Sequence, residues 1–211
     1  MAITRIFLVR HGETEWNATR RAQGQADIPL NDAGRRQAAD AVAQLDGVEL
    51  AAVYSSDLSR AVDTARPIAE ARGLSVVIDP AFREVDQGEW EGLMNKEIRR
   101  RWPDLWGPAR HWSRRPGGES PEQVQKRALE GLARIVGRFP KGGVAVVSHG
   151  GTIRWLAAHA LGYDLAGSAR IRGLSNGGAV AVDALLDDGA LKLGNLTRLD
   201  GKDADIDDPN A

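Results

Sequence analysis

The chain has 211 residues, 42% of them hydrophobic and 27% charged, which is the composition of an ordinary globular protein with one substantial core. A formal net charge of −1 gives no general attraction to nucleic acid or to a membrane surface, and the lack of cysteine excludes disulfides and thiolate metal sites. The first predicted strand starts at residue 3, which leaves no room for a signal peptide, and no apolar run approaches the ~20 residues of a membrane span. We therefore expect a cytoplasmic protein.

Short apolar runs alternate with helical periodicity along most of the chain, and this alternation predicts a parallel sheet with crossover helices. We expect one three-layer α/β/α domain with a mostly parallel central sheet over residues 1–199, followed by a flexible acidic tail over 200–211. The predicted elements are strand 3–9, helix 32–45, strand 50–54, helix 57–72, strand 76–78, helix 120–139, strand 144–147, helix 152–161 and a closing hairpin, 179–186 with 190–196.

Local signals mark several ends of these elements. Asp57 is the predicted N-cap of the helix over 57–72, and Gly73 closes that helix. Ser120 and Gln123 match the capping box that opens the helix over 120–139. The sequence Asp-Asp-Gly at 187–189 predicts the turn of the hairpin.

Two histidines follow two of the apolar runs that are predicted to be buried parallel strands. His11 comes after the run that ends at Val9, and His149 comes after the run over 144–147. Because the carboxyl ends of parallel strands face one ligand crevice, we expect the two histidines to meet there. One histidine at a strand end is more often an ordinary loop residue, but Arg10 directly precedes His11. Its permanent charge would bias His11, whose free pKa is ~6.5, toward the neutral and nucleophilic form.

Several further motifs accompany these histidines over about residues 3–197. They are, in chain order, LVRHGET at 8–14 with WN at 16–17, QG at 23–24, YSSDL at 54–58 with RA at 60–61, RE at 83–84, WEG at 90–92, GGES at 117–120 and VSHG at 147–150. In this order they resemble the histidine phosphatase superfamily, in its phosphoglycerate mutase-like branch. The resemblance implies the phosphoglycerate mutase-like fold.

The resemblance also implies a role for individual residues. His11 would be the nucleophile that forms a phosphohistidine, and Glu84 would be the proton donor, with three acidic residues between 86 and 91 favouring its protonated form. No metal or other cofactor is implied, because cationic side chains would neutralise the phosphoryl charge. The substrate-binding positions implied by the motifs are Arg10, Asn17, Gln23, Gly24, Arg60, His149 and Gly150.

Three classes of function are open at this point. We favour a metal-independent phosphomonoesterase acting on a small phosphorylated metabolite through a phosphohistidine. The alternative is a cofactor-dependent phosphoglycerate mutase, but such mutases carry a longer insertion after the acid. An inactive binding module is disfavoured because every catalytic motif position is filled. The QGQ sequence at 23–25 and the tryptophans after Glu84 are most similar to glucosyl 3-phosphoglycerate phosphatases, although other phosphorylated metabolites and sugar phosphates stay open.

Residues 84–118 interrupt the alternation and contain four of the six tryptophans. Within this stretch, residues 96–115 combine six arginines with three tryptophans, which is compatible with a nucleic-acid surface, a solvated helix or a lid. We favour the lid, because the segment directly follows Glu84 and so begins at the rim of the catalytic pocket. The expected partner is a small phosphate ester, with no nucleic acid and no membrane; a homodimer is left open.

Overall fold

The structure of the protein is a computed structural model that describes residues 2–200. Its strands are β1 (Thr4–Arg10), β2 (Leu50–Ser55), β3 (Val76–Ile78), β4 (Gly142–Ser148), β5 (Ala179–Asp187) and β6 (Ala190–Arg198). They form one sheet in the order β3-β2-β4-β1-β5-β6, in which the first four strands are parallel, β5 is antiparallel to β1, and β6 is antiparallel to β5. The predicted mostly parallel sheet is therefore confirmed. Apart from Asp200, the predicted tail lies outside the described residues.

Helices cover both faces of this sheet, which gives the three predicted layers. Along β1, Ile6 and Leu8 pack into the apolar cluster on the side of the helices α5 (Pro121–Arg138) and α6 (Gly150–Ala160). Phe7 and Val9 pack into the cluster on the side of α2 (Asp32–Gln44) and α3 (Ser59–Glu70). No helix within residues 2–200 is both long and apolar enough to span a membrane. The helices are α1 (Glu15–Ala18), α2 (Asp32–Gln44), α3 (Ser59–Glu70), α4 (Asn95–Arg101), α5 (Pro121–Arg138) and α6 (Gly150–Ala160).

The register of the two central strands sets the position of the two histidines. β1 and β4 are parallel neighbours with Arg10 opposite Ser148, so the next residues, His11 and His149, leave the sheet side by side. The backbone N–H of His11 donates to the carbonyl of Ser148 at 3.0 Å and holds the two strand ends together. The predicted convergence of the histidines is thus a direct result of strand order.

Most of the predicted element ends are confirmed. Ser120 and Gln123 form both hydrogen bonds of the capping box at the start of α5. The hairpin turns at Asp188 and Gly189, whose φ values of 48° and 79° are those of a tight turn between antiparallel strands. Gly73, with φ of 63°, follows the end of α3. Helix α6 begins two residues earlier than predicted, at Gly150.

The predicted cap of α3 is wrong. The N-cap position is Leu58, which supplies no side-chain hydrogen bond, and Asp57 instead forms an ion pair with Arg83, with 2.7 Å from Nε to Oδ1. This pairing lowers the pKa of Asp57. The pair with Arg83 is bidentate and joins two opposite charges, whereas a cap would give the carboxylate a hydrogen bond to an uncharged backbone N–H, which explains the exchange. Asp27 performs the capping from a distant loop, accepting from the backbone N–H of Ser59 at 2.8 Å.

The lid segment (residues 84–118) folds into α4 and three short 3-10 turns around a buried tryptophan. Trp90 is 2% exposed and packs against Trp102 and Trp106, with ring centroids 6.2 and 5.9 Å away. The end of the segment packs closely against its beginning, since a Cβ on Gly88 would lie 2.1 Å from the carbonyl oxygen of Pro116. The three turns are Gly88–Trp90, Pro103–Leu105 and Gly107–His111.

Candidate active site

The two histidines form the centre of the site. Their ring centroids are 5.1 Å apart, and both side chains are buried. Nδ1 of His11 lies 2.6 Å from the carbonyl oxygen of Gly12. Because a carbonyl can only accept, Nδ1 carries the proton and Nε2 keeps a free lone pair. His11 therefore presents the tautomer that a nucleophile requires.

The environment of both rings strongly favours the neutral form. The pKa of His11 is held well below its ordinary value, mainly by burial and then by the charges of Arg60 and Arg10. The pKa of His149 is also lowered well below its ordinary value, again mainly by burial and next by Arg60. Neither ring nitrogen of His149 has a hydrogen-bond partner in the described structure. A buried polar group without a partner is costly, so these nitrogens are suited to an incoming polar ligand.

Two arginines border the histidines and are anchored by backbone carbonyls. Arg10 donates from Nη1 to the carbonyl of Leu174 at 2.6 Å, and Arg60 donates from Nη1 and Nη2 to the carbonyls of Ala26 and Gly24, both at 2.7 Å. In each arginine the buried Nε has no partner within residues 2–200. Burial lowers the pKa of both side chains, although they stay charged. The site thus holds two desolvated cations beside a neutral imidazole.

Two of the glycines implied by the motifs lie in closely packed positions. Gly24 has φ of 56°, and a Cβ there would lie 2.8 Å from Cγ of Gln87. A Cβ on Gly150 would lie 3.3 Å from Nε of Arg10. Small residues at these positions let the arginines and the lid segment approach the pocket.

The carboxylate of Glu84 is fixed by backbone amides. Its Oε2 accepts from Gly151 N–H and its Oε1 from Val85 N–H, each at 3.0 Å. The neighbouring acids bind elsewhere: Asp86 accepts from Gly88 N–H, and Glu91 accepts from the amides of residues 25 and 26. The charges that interact with Glu84 include those of the four arginines Arg10, Arg60, Arg115 and Arg154. Of the acids expected to act on Glu84, Asp86 and Glu91 are thus engaged by backbone amides, and the arginine charges were not part of that expectation.

The predicted amide residues join the site through two residues that sequence reasoning missed. Asn17 Oδ1 accepts from Thr14 N–H at 3.2 Å and from Asn176 Nδ2 at 3.3 Å, and Asn176 also donates to the carbonyl of His11 at 3.0 Å. Gln23 Oε1 accepts from Thr14 Oγ1 at 2.9 Å. The amide oxygens are therefore occupied by the protein, which leaves the NH₂ groups to donate to a ligand. A threonine cap was readable from the sequence, but the long-range partner Asn176 was not.

Helix α5 supplies a further group that the motifs did not indicate. Arg127 donates from Nη1 to the carbonyls of Ala81 and Arg83, at 2.7 and 2.8 Å, and from Nη2 to the carbonyl of Glu84 at 2.9 Å. It also forms an ion pair with Glu119 at 3.0 Å. Arg127 therefore fixes the backbone that carries Glu84.

The site lies at the carboxyl ends of parallel strands and combines a neutral buried histidine with a free nitrogen, a second histidine, two desolvated arginines and a fixed carboxylate. These groups define a phosphoryl-transfer enzyme. Within residues 2–200 no group of three or more His, Cys, Asp or Glu side chains could hold a metal ion. The chain belongs to the histidine phosphatase superfamily (branch 1), whose family model matches residues 6–197.

Similar proteins include two that are named as phosphatases and one that is named as mutase-like. A glucosyl-3-phosphoglycerate phosphatase of Mycolicibacterium vanbaalenii is 37% identical over 77% of this chain and 76% of its own length. The phosphoglycerate mutase-like protein 4 of Arabidopsis thaliana is 40% identical over 72% of this chain and 68% of its own. A solved structure of mycobacterial glucosyl-3-phosphoglycerate phosphatase with VO3 has a TM-score of 0.82 at 31% identity, covering 92% of this chain and 97% of the other. The predicted family, fold and phosphomonoesterase class are confirmed.

Proposed function

We propose that the protein hydrolyses a small phosphate ester through a phosphohistidine on His11. The observation that carries this proposal is the hydrogen bond from His11 Nδ1 to the Gly12 carbonyl, combined with the depressed pKa of the ring. Together they keep the Nε2 lone pair available near neutral pH. The residue roles below follow from the positions of the groups around that atom.

The first step transfers the phosphoryl group to the enzyme. Nε2 of His11 attacks phosphorus, the bond from phosphorus to the ester oxygen breaks, and Glu84 gives its proton to the departing oxygen. The phosphoryl oxygens gain negative charge in the transition state and are contacted by Arg10, Arg60 and His149. The donors are the buried nitrogens of these side chains that have no protein partner.

The second step releases phosphate. Glu84, now ionised, takes a proton from a water molecule that attacks phosphorus, and the bond from phosphorus to His11 breaks. The nucleophile returns to its neutral form and Glu84 is protonated again, so protons and electrons balance over the cycle. No metal ion takes part in this scheme, because arginine and histidine side chains supply the electrophilic groups.

The substrate in this proposal is a phosphoglycerate-containing metabolite or a sugar phosphate. Support comes from the names of the relatives, which include glucosyl-3-phosphoglycerate phosphatase and phosphoserine phosphatase. We also propose that the protein is cytoplasmic and that it acts without nucleic acid. A homodimer stays a prediction. Phosphoglycerate mutase activity is the alternative that a screen of phosphorylated metabolites would reveal, as transfer of phosphate to a second hydroxyl rather than to water.

The test compares wild type with His11→Ala on p-nitrophenyl phosphate and on a panel of phosphorylated metabolites, with and without chelator. We expect His11→Ala to retain less than about a thousandth of the wild-type rate, because the covalent route is lost. Radiolabelled phosphate should be trapped on wild-type protein after rapid quenching and not on the variant. His159→Ala, an exposed position on α6, is the control. A variant that keeps its activity, or a rate restored only by divalent metal, would contradict the proposal.

A further inference from the structure

A cavity of about 320 Å³ lies beside Glu84, under the lid segment. Its catalytic end is formed by Arg10, Glu84, Gly150 and Gly151. The lid segment, α6 and the loop at 171–174 form most of the remaining walls, together with Ala22 and residues of β5 and β6. This volume falls within the usual range for small-molecule sites. Because the cavity shares Glu84 with the proposed proton-transfer step, a substrate that reacts at His11 can extend into it.

The walls of this cavity carry a large excess of positive charge. Among the described residues that line it, Glu84 is the single carboxylate, against six arginines. Arg198 is neutralised by an ion pair with Asp200 at 2.7 Å. By contrast, Arg115 and Arg154 form no ion pair with any side chain of residues 2–200. The six arginines are Arg10, Arg110, Arg115, Arg154, Arg172 and Arg198.

Arg115 is a buried cation whose hydrogen-bond donors are only partly used. Its side chain is 5% exposed and lies over the ring of Trp90, 4.9 Å from the ring centroid. Nε donates to Gln87 Oε1 at 3.2 Å and Nη1 to the carbonyl of Ser113 at 2.8 Å, which leaves Nη2 without a protein acceptor. Burial lowers the pKa of Arg115 to about 10, so the side chain stays charged at neutral pH.

Arg154 approaches the same cavity from α6. Its Nη1 donates to the carbonyls of Ile171 and Ser168, which leaves Nε and Nη2 without protein acceptors. Burial, followed by the charges of Arg110 and Arg10, lowers its pKa to about 10. Neither guanidinium group has an ion pair of its own with a described residue, because the Glu84 charge that acts on both also acts on Arg10 and Arg60. Such desolvated cations are costly to maintain, and a bound anion would offset that cost.

We infer that this cavity is a second anion-binding subsite, in which Arg115 and Arg154 bind an oxyanion of the substrate other than the phosphoryl group that is transferred. His11, Arg60 and His149 do not contribute to its described walls, so the two anions occupy separate places. The ligand class is a phosphate ester that carries a carboxylate or a second phosphate, since both present the oxygens that guanidinium groups bind. This inference rests on the proposed function, because it assigns the far end of the same substrate.

The kinetic test uses two pairs of substrates that differ by one anionic group. The pairs are 3-phosphoglycerate with glycerol 3-phosphate, for a carboxylate, and fructose 1,6-bisphosphate with fructose 6-phosphate, for a second phosphate. In one pair, we expect wild-type kcat/KM to be at least about 10-fold higher for the substrate with the additional anionic group. That pair identifies whether the subsite binds a carboxylate or a second phosphate. Equal kcat/KM within both pairs would overturn the inference.

Variants then assign the preference to the two arginines. Arg115→Gln and Arg154→Gln should each lower kcat/KM for the preferred substrate by about 10- to 100-fold more than they lower it for p-nitrophenyl phosphate, which has no second anionic group. Arg115→Lys should recover part of the loss, because it restores the charge without the fork. Arg99→Gln, an exposed arginine of the lid segment outside the cavity, is the matched control. Equal losses on all substrates would show that the arginines serve folding alone.

A binding measurement separates this inference from the proposed mechanism. In the His11→Ala background, calorimetric titration with the preferred substrate should give a Kd about 10- to 100-fold weaker once Arg115→Gln is added. If His11→Ala keeps its turnover but the Kd difference persists, the phosphohistidine mechanism fails and the subsite stands. If turnover is lost but the two Kd values agree, the mechanism stands and the subsite is refuted.

Discussion

The pocket around His11 and the cavity under the lid segment share Arg10 and Glu84 but are built in opposite ways. In the pocket, the reactive groups lie at adjoining strand ends and are oriented by backbone carbonyls and amides, as in the bond from His11 to Gly12. In the cavity, the cations come from the lid segment and α6, and each of Arg115 and Arg154 retains unused donors. The pocket is therefore suited to chemistry common to all substrates, and the cavity to discrimination between them.

One carboxylate, that of Glu84, belongs to both environments. Glu84 is fixed toward the pocket by the amides of Val85 and Gly151, yet it is also the single described acid on the cavity wall. A change on the pocket side should therefore reduce every reaction that needs its proton, whatever group fills the cavity. A change on the cavity side should depend on the charge of the substrate.

The largest expected effect in this comparison comes from Glu84→Gln. We expect kcat on an alkyl phosphate to fall by about 100- to 1,000-fold, because the leaving oxygen no longer receives a proton. With p-nitrophenyl phosphate, the rate of phosphohistidine formation should fall much less, because that leaving group departs as a stable anion. The phosphohistidine should then accumulate. Rapid-quench kinetics measure both. Glu89→Gln, an exposed acid nearby, is the control. Equal losses of formation rate on the two esters would exclude Glu84 as the acid.

A smaller effect should follow from Arg127→Lys. A lysine cannot reproduce the set of bonds to the carbonyls of Ala81, Arg83 and Glu84, so the backbone beneath the Glu84 carboxylate should loosen. We expect kcat on an alkyl phosphate to fall about 10-fold, with a smaller loss on an aryl phosphate, which is the signature of a displaced acid. Arg134→Lys, on the same helix and exposed, should leave both rates unchanged. A uniform loss on both esters would instead indicate a general loss of structure.

The smallest expected effect concerns stability and pH on the cavity side. Burial, and then the charges of Arg154 and Arg110, lower the pKa of His111 to about 3. Below pH 6.5 the unfolded chain takes up a proton there that the folded chain does not, so this residue's contribution to stability is complete above pH 6.5 and is lost toward pH 3. The expected loss is up to about 1 kcal/mol per pH unit, because partial solvation in the cavity reduces the full linkage value.

Denaturant unfolding between pH 7 and pH 5 tests this expectation. The free energy of unfolding should fall less steeply with decreasing pH in His111→Gln than in wild type, whereas His159→Gln provides an exposed control on α6. Parallel slopes for wild type and His111→Gln would show that His111 is protonated equally in the folded and unfolded chains.

The sequence predicted the parts of this molecule whose cause is local or repetitive. Val- and Ile-rich runs followed by Arg10-His11 and by His149 predicted two strands and a shared crevice, and the register of β1 with β4 confirms it. The capping box at Ser120 and the turn at 187–189 depend on neighbouring residues, so they could be predicted as well. The catalytic roles of the motif residues follow from family resemblance and stay predictions.

Tertiary structure decided the points at which distant side chains compete for one partner. Asp57 had the sequence of an N-cap, but Arg83 lies close enough to take its carboxylate, and Asp27 caps the helix instead. Composition alone could not separate the arginines of the lid segment, of which Arg110 and Arg115 line the cavity while those at 99–101 and 114 do not. Arg154 carried no signal of its own within the helical pattern of α6. Its position on the cavity wall depends on how α6 packs against the lid segment, and no spacing along the chain contains that information.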